Sequence, residues 1–319
     1  MNSFRALAPS STANLGPGFD IFGLALDLFV DEIIITRKQE QNGRITISTI
    51  KQNDSMKIPY ENENNSAALV VKKMMKDYSI KDNIDIQINK GVPPGYGLGS
   101  SAASSVATAY AFDKLFHLET NLIDLISYSA EGERASAGVK HYDNVASSML
   151  GGFIIVRNFP LLEFIKFEPP EDLYLVVGIP NIPVPNKKTE VARSILPVSS
   201  PLDNVITNIS NASTIVAGFA CKDVNMIAKG LDDKIVEPVR KRTIPGYDKV
   251  KENAINSGAL ALTISGAGPS VISILNTERH AHKVMEAVKG GFAAANIESK
   301  VYLCKPSKGA KNQDKISSY

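Results

Sequence analysis

The chain has 319 residues, 44% of them hydrophobic, and its 35 Lys and Arg against 33 Asp and Glu leave a formal charge of +2. That length can bury a core in one large domain or two ordinary ones, which excludes disorder as the dominant state. The near balance of charge excludes the strong basic excess of a typical nucleic-acid binder, and no apolar run reaches the roughly 20 residues of a membrane span. The first residues, with Arg5 followed by Pro9 and Ser10, lack the apolar stretch of a secretory signal, so a cytoplasmic protein is expected. Cys221 and Cys304 are the only cysteines and there are four His without an HExxH segment, so neither a disulfide framework nor a zinc site is expected.

In chain order, Leu28 to Arg37 and Arg44 to Ile50 alternate around Asn42-Gly43, a pattern that predicts a β-hairpin. Ser66 to Tyr78 has helical spacing, with Leu69, Val70, Met74 and Tyr78 on one face, and Asn83 to Asn89 alternates as a strand. A Gly/Pro loop from Gly91 to Gly99 leads into a small-residue helix, Ser100 to Phe116. Thr120 is the expected N-cap of a helix running toward Ala137, with Gly138 ending it. Gly151 to Arg157 and Leu173 to Gly178 read as strands, and Pro180, Pro183, Pro185 and Pro197 mark a domain boundary in or just before their segment. Beyond it come helical patterns near 187–195, 203–219, 221–230 and 247–256, then strands Ala259 to Ser265 and Val271 to Leu275. A helix over Thr277 to Val288, a strand near Lys300 to Leu303 and a solvated tail from Lys308 to Tyr319 complete the set. Mixed strands and helices without strict βαβ alternation favour an α+β fold.

The strongest chemical signal is the run Pro93-Pro94-Gly95-Tyr96-Gly97-Leu98-Gly99-Ser100-Ser101-Ala102-Ala103, placed between a predicted strand and a predicted helix. Its glycines let several backbone N–H groups approach a ligand, and the helix start adds partial positive charge, so the run suits a phosphate. The plain alternative is a tight strand-to-helix connection with a serine cap. A Walker A loop is excluded because Ser100, not Lys, follows Gly99. The dinucleotide fingerprint fits Gly97 to Ala102 but needs a strand ending in an acid about 20 residues on. Phe112 to Leu118, before Glu119, finishes a helix instead.

The same run resembles the ATP-binding loop of the GHMP kinases, a family of small-molecule kinases. The segment Ala8 to Asp20, with Asn14-Leu15-Gly16-Pro17-Gly18-Phe19-Asp20, is similar to the family's substrate-side segment in the form seen in its homoserine-kinase branch. So are His141 to Ala146 with Gly151-Gly152, and Thr189 to Pro197, while Ser265-Gly266-Ala267-Gly268-Pro269-Ser270 resembles the third, glycine-rich motif. Ser147 departs from the Pro common after Asn-Val-Ala in that branch, and Tyr96 occupies a variable place in the loop.

The resemblance implies a two-domain GHMP kinase fold. Residues 1–165 would form an ATP-binding domain like ribosomal protein S5 domain 2, and residues 166–319 a ferredoxin-like domain completing the substrate cleft. It implies ATP and Mg²⁺ as cofactors, with transfer of phosphate to the side-chain hydroxyl of L-homoserine. Pro93 to Ala103 would bind ATP, and Ser101 with Glu131 would hold the metal. Asp20, Asn144 and Glu131 form the implied catalytic set, Asp20 meeting the acceptor hydroxyl with Asn14 beside it, and His141 and Asn144 lining the acceptor site. Arg193, strengthened by Thr189 one turn earlier, and Arg240 suit a carboxylate because a guanidinium offers a flat fork of donors. The expected partners are thus small molecules, with no nucleic acid and no membrane, and a homodimer is compatible with the sequence. Another kinase of the family, acting on mevalonate or shikimate, or a non-catalytic nucleotide-binding protein on the same fold, are the rival readings.

Overall fold

The computed structural model describes residues 2–52, 58–185 and 188–312, without the side chains of Ser136, Ala137, Thr189 and Asn312. The first half comprises β1 (Ser3–Ala13), β2 (Phe22–Lys38), β3 (Ile45–Gln52), α1 (Ser66–Asp77), β4 (Asn83–Lys90), α2 (Ser100–Phe116), α3 (Leu122–Ala137), α4 (Asp143–Leu150), β5 (Phe153–Asn158) and β6 (Leu162–Phe167). There follow β7 (Tyr174–Pro180), α5 (Lys188–Ser194), α6 (Leu202–Cys221), α7 (Val224–Lys229), α8 (Glu237–Arg240), α9 (Tyr247–Asn256), β8 (Ala261–Ile264), β9 (Val271–Leu275), α10 (Ala281–Ala293), β10 (Ser299–Cys304) and β11 (Lys311–Asn312).

One sheet has the order β11-β1-β2-β4-β3, with β5 paired to the start of β2 and β6 to β5. Helices α2 and α4 pack on β1 and β2, and α1 and α3 pack on α2. The other sheet is antiparallel in the order β10-β7-β9-β8, and α9 and α10 cover one face of it. Helix connections between β7 and β8 and between β9 and β10 make this the ferredoxin-like arrangement, so the α+β expectation holds. Alternation along β7 joins the two halves. Leu175, Val177 and Ile179 belong to the core of the first half, and Val176 to the core under α9 and α10. Phe153 of β5 stacks on Phe219 of α6 with ring centroids 3.8 Å apart across the same seam.

Helix α2 is buried almost all round, because its Ala and Ser residues let neighbours come close on every side. Two of its hydroxyls are satisfied within the helix: Ser105 Oγ donates to Ser101 O at 2.9 Å and Thr108 Oγ1 to Ser104 O at 2.7 Å. The N-cap of α3 is Asn121, whose Oδ1 accepts from Asp124 N at 3.0 Å, while Thr120 pairs with the Tyr78 hydroxyl instead.

Two further expectations are corrected, and one strand is added. The Asn42-Gly43 hairpin does not form: β4 lies between β2 and β3, antiparallel to the first and parallel to the second. The loop over 39–44 is tied to the start of β4, with Asn83 N donating to Glu40 O at 2.8 Å and Gly43 N to Lys81 O at 2.8 Å. Strand β1 escapes recognition because Ser10, Ser11 and Thr12 are polar yet fully buried, and Pro9 is tolerated at a bulge where the β1/β2 register shifts. The tail is not solvated over its described part: β11 pairs with Ala6 and Leu7 of β1, and Ala310 N donates to Ser148 O at 3.0 Å.

A buried ion pair fixes the turn from β4 into the glycine loop. Asp31 of β2 has no solvent exposure; its Oδ1 accepts from Gly91 N at 3.0 Å and Val92 N at 2.9 Å, and its Oδ2 from Ser104 Oγ at 2.7 Å and from Lys90 Nζ. Lys90 Nζ also donates to Ser104 Oγ at 2.8 Å. Removing one partner of such a pair leaves an uncompensated charge, so Asp31→Ala is expected to destabilise the protein by about 3–5 kcal/mol in urea unfolding. A loss near the ~1 kcal/mol ceiling of an exposed pair would contradict that role.

Candidate active site

A cleft of about 340 Å³ lies where the two halves meet, lined from the first half by the glycine loop, the start of α2, α3 and α4, and from the second by α5, α8 and the Gly266-Ala267 turn. At one end Pro94, Gly95, Gly97, Gly99, Ser100, Ser101 and Ala102 face it. Gly97 and Gly99 have φ of 77° and 67°, and a Cβ on Gly97 would stand 2.6 Å from Gly268 O. No other residue type fits this close approach. Gly99, as N-cap of α2, has no side chain to cap the first-turn amides, a geometry of the kind that suits an anion. Ser100 Oγ donates to Val92 O at 2.9 Å, whereas Ser101 Oγ pairs with Ser66 Oγ at 2.9 Å and lines the cleft. Pro93, Tyr96, Leu98 and Ala103 do not line it: Leu98 and Ala103 are core residues, and Tyr96 O receives Ser270 N at 3.3 Å.

At the other end two arginines converge. The Arg193 and Arg240 guanidinium carbons lie 5.3 and 5.1 Å from the ring centre of Phe19, a distance at which the ring quadrupole attracts a cation. Arg193 pairs with Asp20 and lies 3.3 Å from His141 Nδ1. Arg240 Nη1 donates to Gly266 O at 3.1 Å, and burial pushes its guanidinium down to about 10. Asn14, in the left-handed region at φ 71°, donates from Nδ2 to Gly266 O at 2.7 Å and accepts from Asp20 N at 3.1 Å. The Asn–Asp segment around the Gly-Pro-Gly turn thereby ties β1 to the glycine-rich turn of the second half.

Between the two ends stand His141, Asp143 and Asn144. Asn144 Oδ1 accepts from Ser11 Oγ at 2.9 Å, so its amide orientation is fixed. Burial pushes the His141 imidazole below its ordinary value, with Arg193 adding to the effect. The same cause raises Asp143 to about 6. Thr189 belongs to α5, but its side chain lies outside the described residues.

Glu131 is corrected as a metal-ligand candidate. Residues two apart on a helix point to opposite sides, and Glu131 faces outward, paired with Lys140 at 2.5 Å and Arg134 at 3.4 Å. Glu133 occupies the cleft instead, hydrogen-bonded to Ser101 and raised to about 7 by burial, with the charge of Asp143 adding to the rise. The signal was in the sequence: Ile126, Ala130 and Glu133 continue one stripe, and an acid on a core-facing stripe is the informative anomaly. Sequence reasoning also missed Phe19, Lys90, Asp143 and Lys188, all of which line the cleft.

With this geometry in view, two family patterns match: the GHMP kinases N-terminal domain over residues 65–152 and the GHMP kinases C-terminal domain over 215–294. The chain belongs to the GHMP kinases. It is 39% identical over 279 residues to a homoserine kinase of Methanococcus maripaludis, covering 87% of this chain and 89% of that one. It is 41% identical over 269 residues to a homoserine kinase of Methanopyrus kandleri, covering 84% and 85%. The crystal structure of homoserine kinase from Cytophaga hutchinsonii superposes with a TM-score of 0.90 at 35% identity, covering 98% of this chain and 97% of that one.

Glu133 generates a testable pH dependence. Unfolded it ionises near 4.5 and folded near 7. Its contribution to stability is therefore present below pH 4.5 and lost as pH rises to 7, at about 1.4 kcal/mol for each unit between the two values. In metal-free urea unfolding, Glu133→Gln is expected to gain on the wild type across that window. Parallel pH curves for the two proteins would contradict the assignment.

Proposed function

We propose that the chain transfers the γ-phosphoryl group of ATP to the side-chain hydroxyl of L-homoserine. The observation that carries the reading is the polarity of the cleft. Free helix amides and glycine amides lie at one end, and two guanidiniums held over Phe19 lie at the other, about Asp20. A small acceptor with a carboxylate at one end and a hydroxyl at the other fits between them, and the names of the relatives agree. A mevalonate- or shikimate-type acceptor offers Asp20 a hydroxyl only, while homoserine carries an ammonium as well as its hydroxyl.

In the reaction the acceptor oxygen bonds to the γ-phosphorus as the bond to the bridging oxygen breaks. ADP leaves with the electron pair, and the hydroxyl proton is released. Such transfer asks mainly for alignment and for stabilisation of negative charge. The loop and the start of α2, with Ser100, Ser101 and Ala102, hold the phosphates. Arg193 and Arg240 grip the carboxylate, and His141 borders it. Asp20 and Asn14 orient the hydroxyl and ammonium. Asn144 cannot take a proton, since an amide is no base and its oxygen already accepts from Ser11. With Asp20 already paired to Arg193, the mechanism we favour runs without a strong general base.

Glu133 and Ser101 fit Mg²⁺: an oxygen pair facing the cleft, one of them a carboxylate, matching the preference of that ion for oxygen ligands. Among the described residues no cluster of three or more His, Cys, Asp or Glu could hold a metal, which agrees with an ion that takes few protein ligands and several phosphate oxygens. When bound, Mg²⁺ would neutralise charge on the phosphates. We place the domain boundary after β6, since residue 165 falls inside that strand and β6 pairs with β5. A cytoplasmic location accords with two free thiols, Cys221 and Cys304.

A coupled ADP-release assay over homoserine, mevalonate, shikimate and galactose tests the reading: turnover is expected with homoserine alone. No turnover of homoserine would overturn it. Arg240→Met should raise KM for homoserine about 10- to 100-fold, the value of a charged hydrogen bond, with the KM for ATP little changed. Glu133→Gln should raise the Mg²⁺ requirement at least ~10-fold while Glu131→Gln leaves it alone. The reverse pattern would return the role to Glu131.

A further inference from the structure

Lys188, the first residue of α5, enters the cleft from the second half of the chain. Its ammonium donates to the carbonyl oxygen of Gly268. The backbone of that glycine crowds the phosphate loop: a Cβ on Gly97 would stand 2.6 Å from Gly268 O and 3.0 Å from Gly268 N. Arg240, anchored to Gly266 O, lines the same cleft close enough to act on the charge of Lys188. Lys188 therefore sits between the loop that holds phosphate and the arginines that hold the acceptor, at the place where the two substrates meet.

The charges around it do not balance. Among the described residues no carboxylate pairs with Lys188, and the charged neighbour that acts on it is Arg240, a second cation. Asp20 is committed to Arg193, and Asp143 is raised to about 6 and bonded to the amide N–H of Asn144 at 2.7 Å. Burial and Arg240 together push the Lys188 ammonium down to about 7, as expected of an enclosed cation without a counter-anion. An unpaired charge is expensive to enclose unless a ligand completes it. The acceptor's single carboxylate is already matched by two guanidiniums, so the anion left for Lys188 is on the nucleotide.

We propose that Lys188 binds the terminal phosphoryl group of ATP and follows it during transfer, stabilising charge on its oxygens as the bond to ADP breaks and the bond to the acceptor hydroxyl forms. The inference rests on the kinase reading above, but its decisive test does not need homoserine turnover.

The test compares binding of ADP with that of a non-hydrolysable ATP analogue, by calorimetry on the full chain, for wild type, Lys188→Met and Lys188→Arg. Loss of one charge-assisted contact predicts that Lys188→Met weakens the analogue about tenfold or more and leaves ADP within about twofold, while Lys188→Arg keeps most of the affinity. With homoserine present, kcat of Lys188→Met should fall about 100-fold, in the range for a lost electrostatic donor. Equal weakening of ADP and the analogue would overturn the proposal in favour of a strap that merely shapes the loop. A raised KM for homoserine with analogue binding unchanged would overturn it in favour of a carboxylate contact. If the wild type fails to phosphorylate homoserine, the functional reading falls, and the comparison of ADP with the analogue still decides the role of Lys188.

Discussion

The carboxylate of Asp31 touches three parts of the chain that must meet for the cleft to exist. It takes the ammonium of Lys90 at the end of β4, two amides of the loop that follows, and the Ser104 hydroxyl one turn into α2. A strand, a loop and a helix are thus pinned to one buried point. The consequence is directional: with its first residues held, the loop turns its remaining amides and the start of α2 toward the cleft. A buried pair of this kind is weak evidence for stability in its own right. Here it sets the geometry of an anion site, which packing of apolar residues alone would leave less defined.

Charge is divided along the cleft in a way the total of +2 conceals. On the proposed reading, the nucleotide end offers dipoles and amides, with its lysine, Lys90, neutralised by Asp31. The opposite end holds full charges, Arg193 and Arg240, both near the ring of Phe19 and offset in part by Asp20. Glu133 and Lys188 stand between, one a carboxylate raised toward neutrality and the other an ammonium lowered toward it. Burial is the main cause of both shifts, and on the proposed reading a bound metal nucleotide would favour the charged form of each.

Local motifs were legible in the sequence where backbone conformation is the function. The glycines from Gly95 to Gly99 and the Asn14 to Asp20 segment announce left-handed turns and close approaches, and both line the cleft. Most elements of the second half were also visible, because α9, β8 and β9 carry plain periodicity. What sequence could not supply was partnership at a distance. The Asn42-Gly43 turn reads as a hairpin until β4 is seen to insert between its strands. Strand β1 is hidden because its buried hydroxyls bond to residues far along the chain, Ser11 to Asn144 and Thr12 to Ser265. Glu131 and Glu133 differ by two residues, and here the stripe through Ile126 and Ala130 does carry the choice in the sequence, since it continues to Glu133. Lys188 carries no motif signal; its role is argued from its place in the cleft and from the lack of a carboxylate paired with it among the described residues.

Product identity bears most directly on the claim that this cleft joins a nucleotide to an amino-acid hydroxyl. Phosphorus NMR of the protein with ATP, Mg²⁺ and L-homoserine should show a new phosphate monoester, coupled to the methylene protons of the acceptor side chain, growing in step with ADP. Inorganic phosphate and ADP without that ester, or an unchanged ATP spectrum, would contradict it.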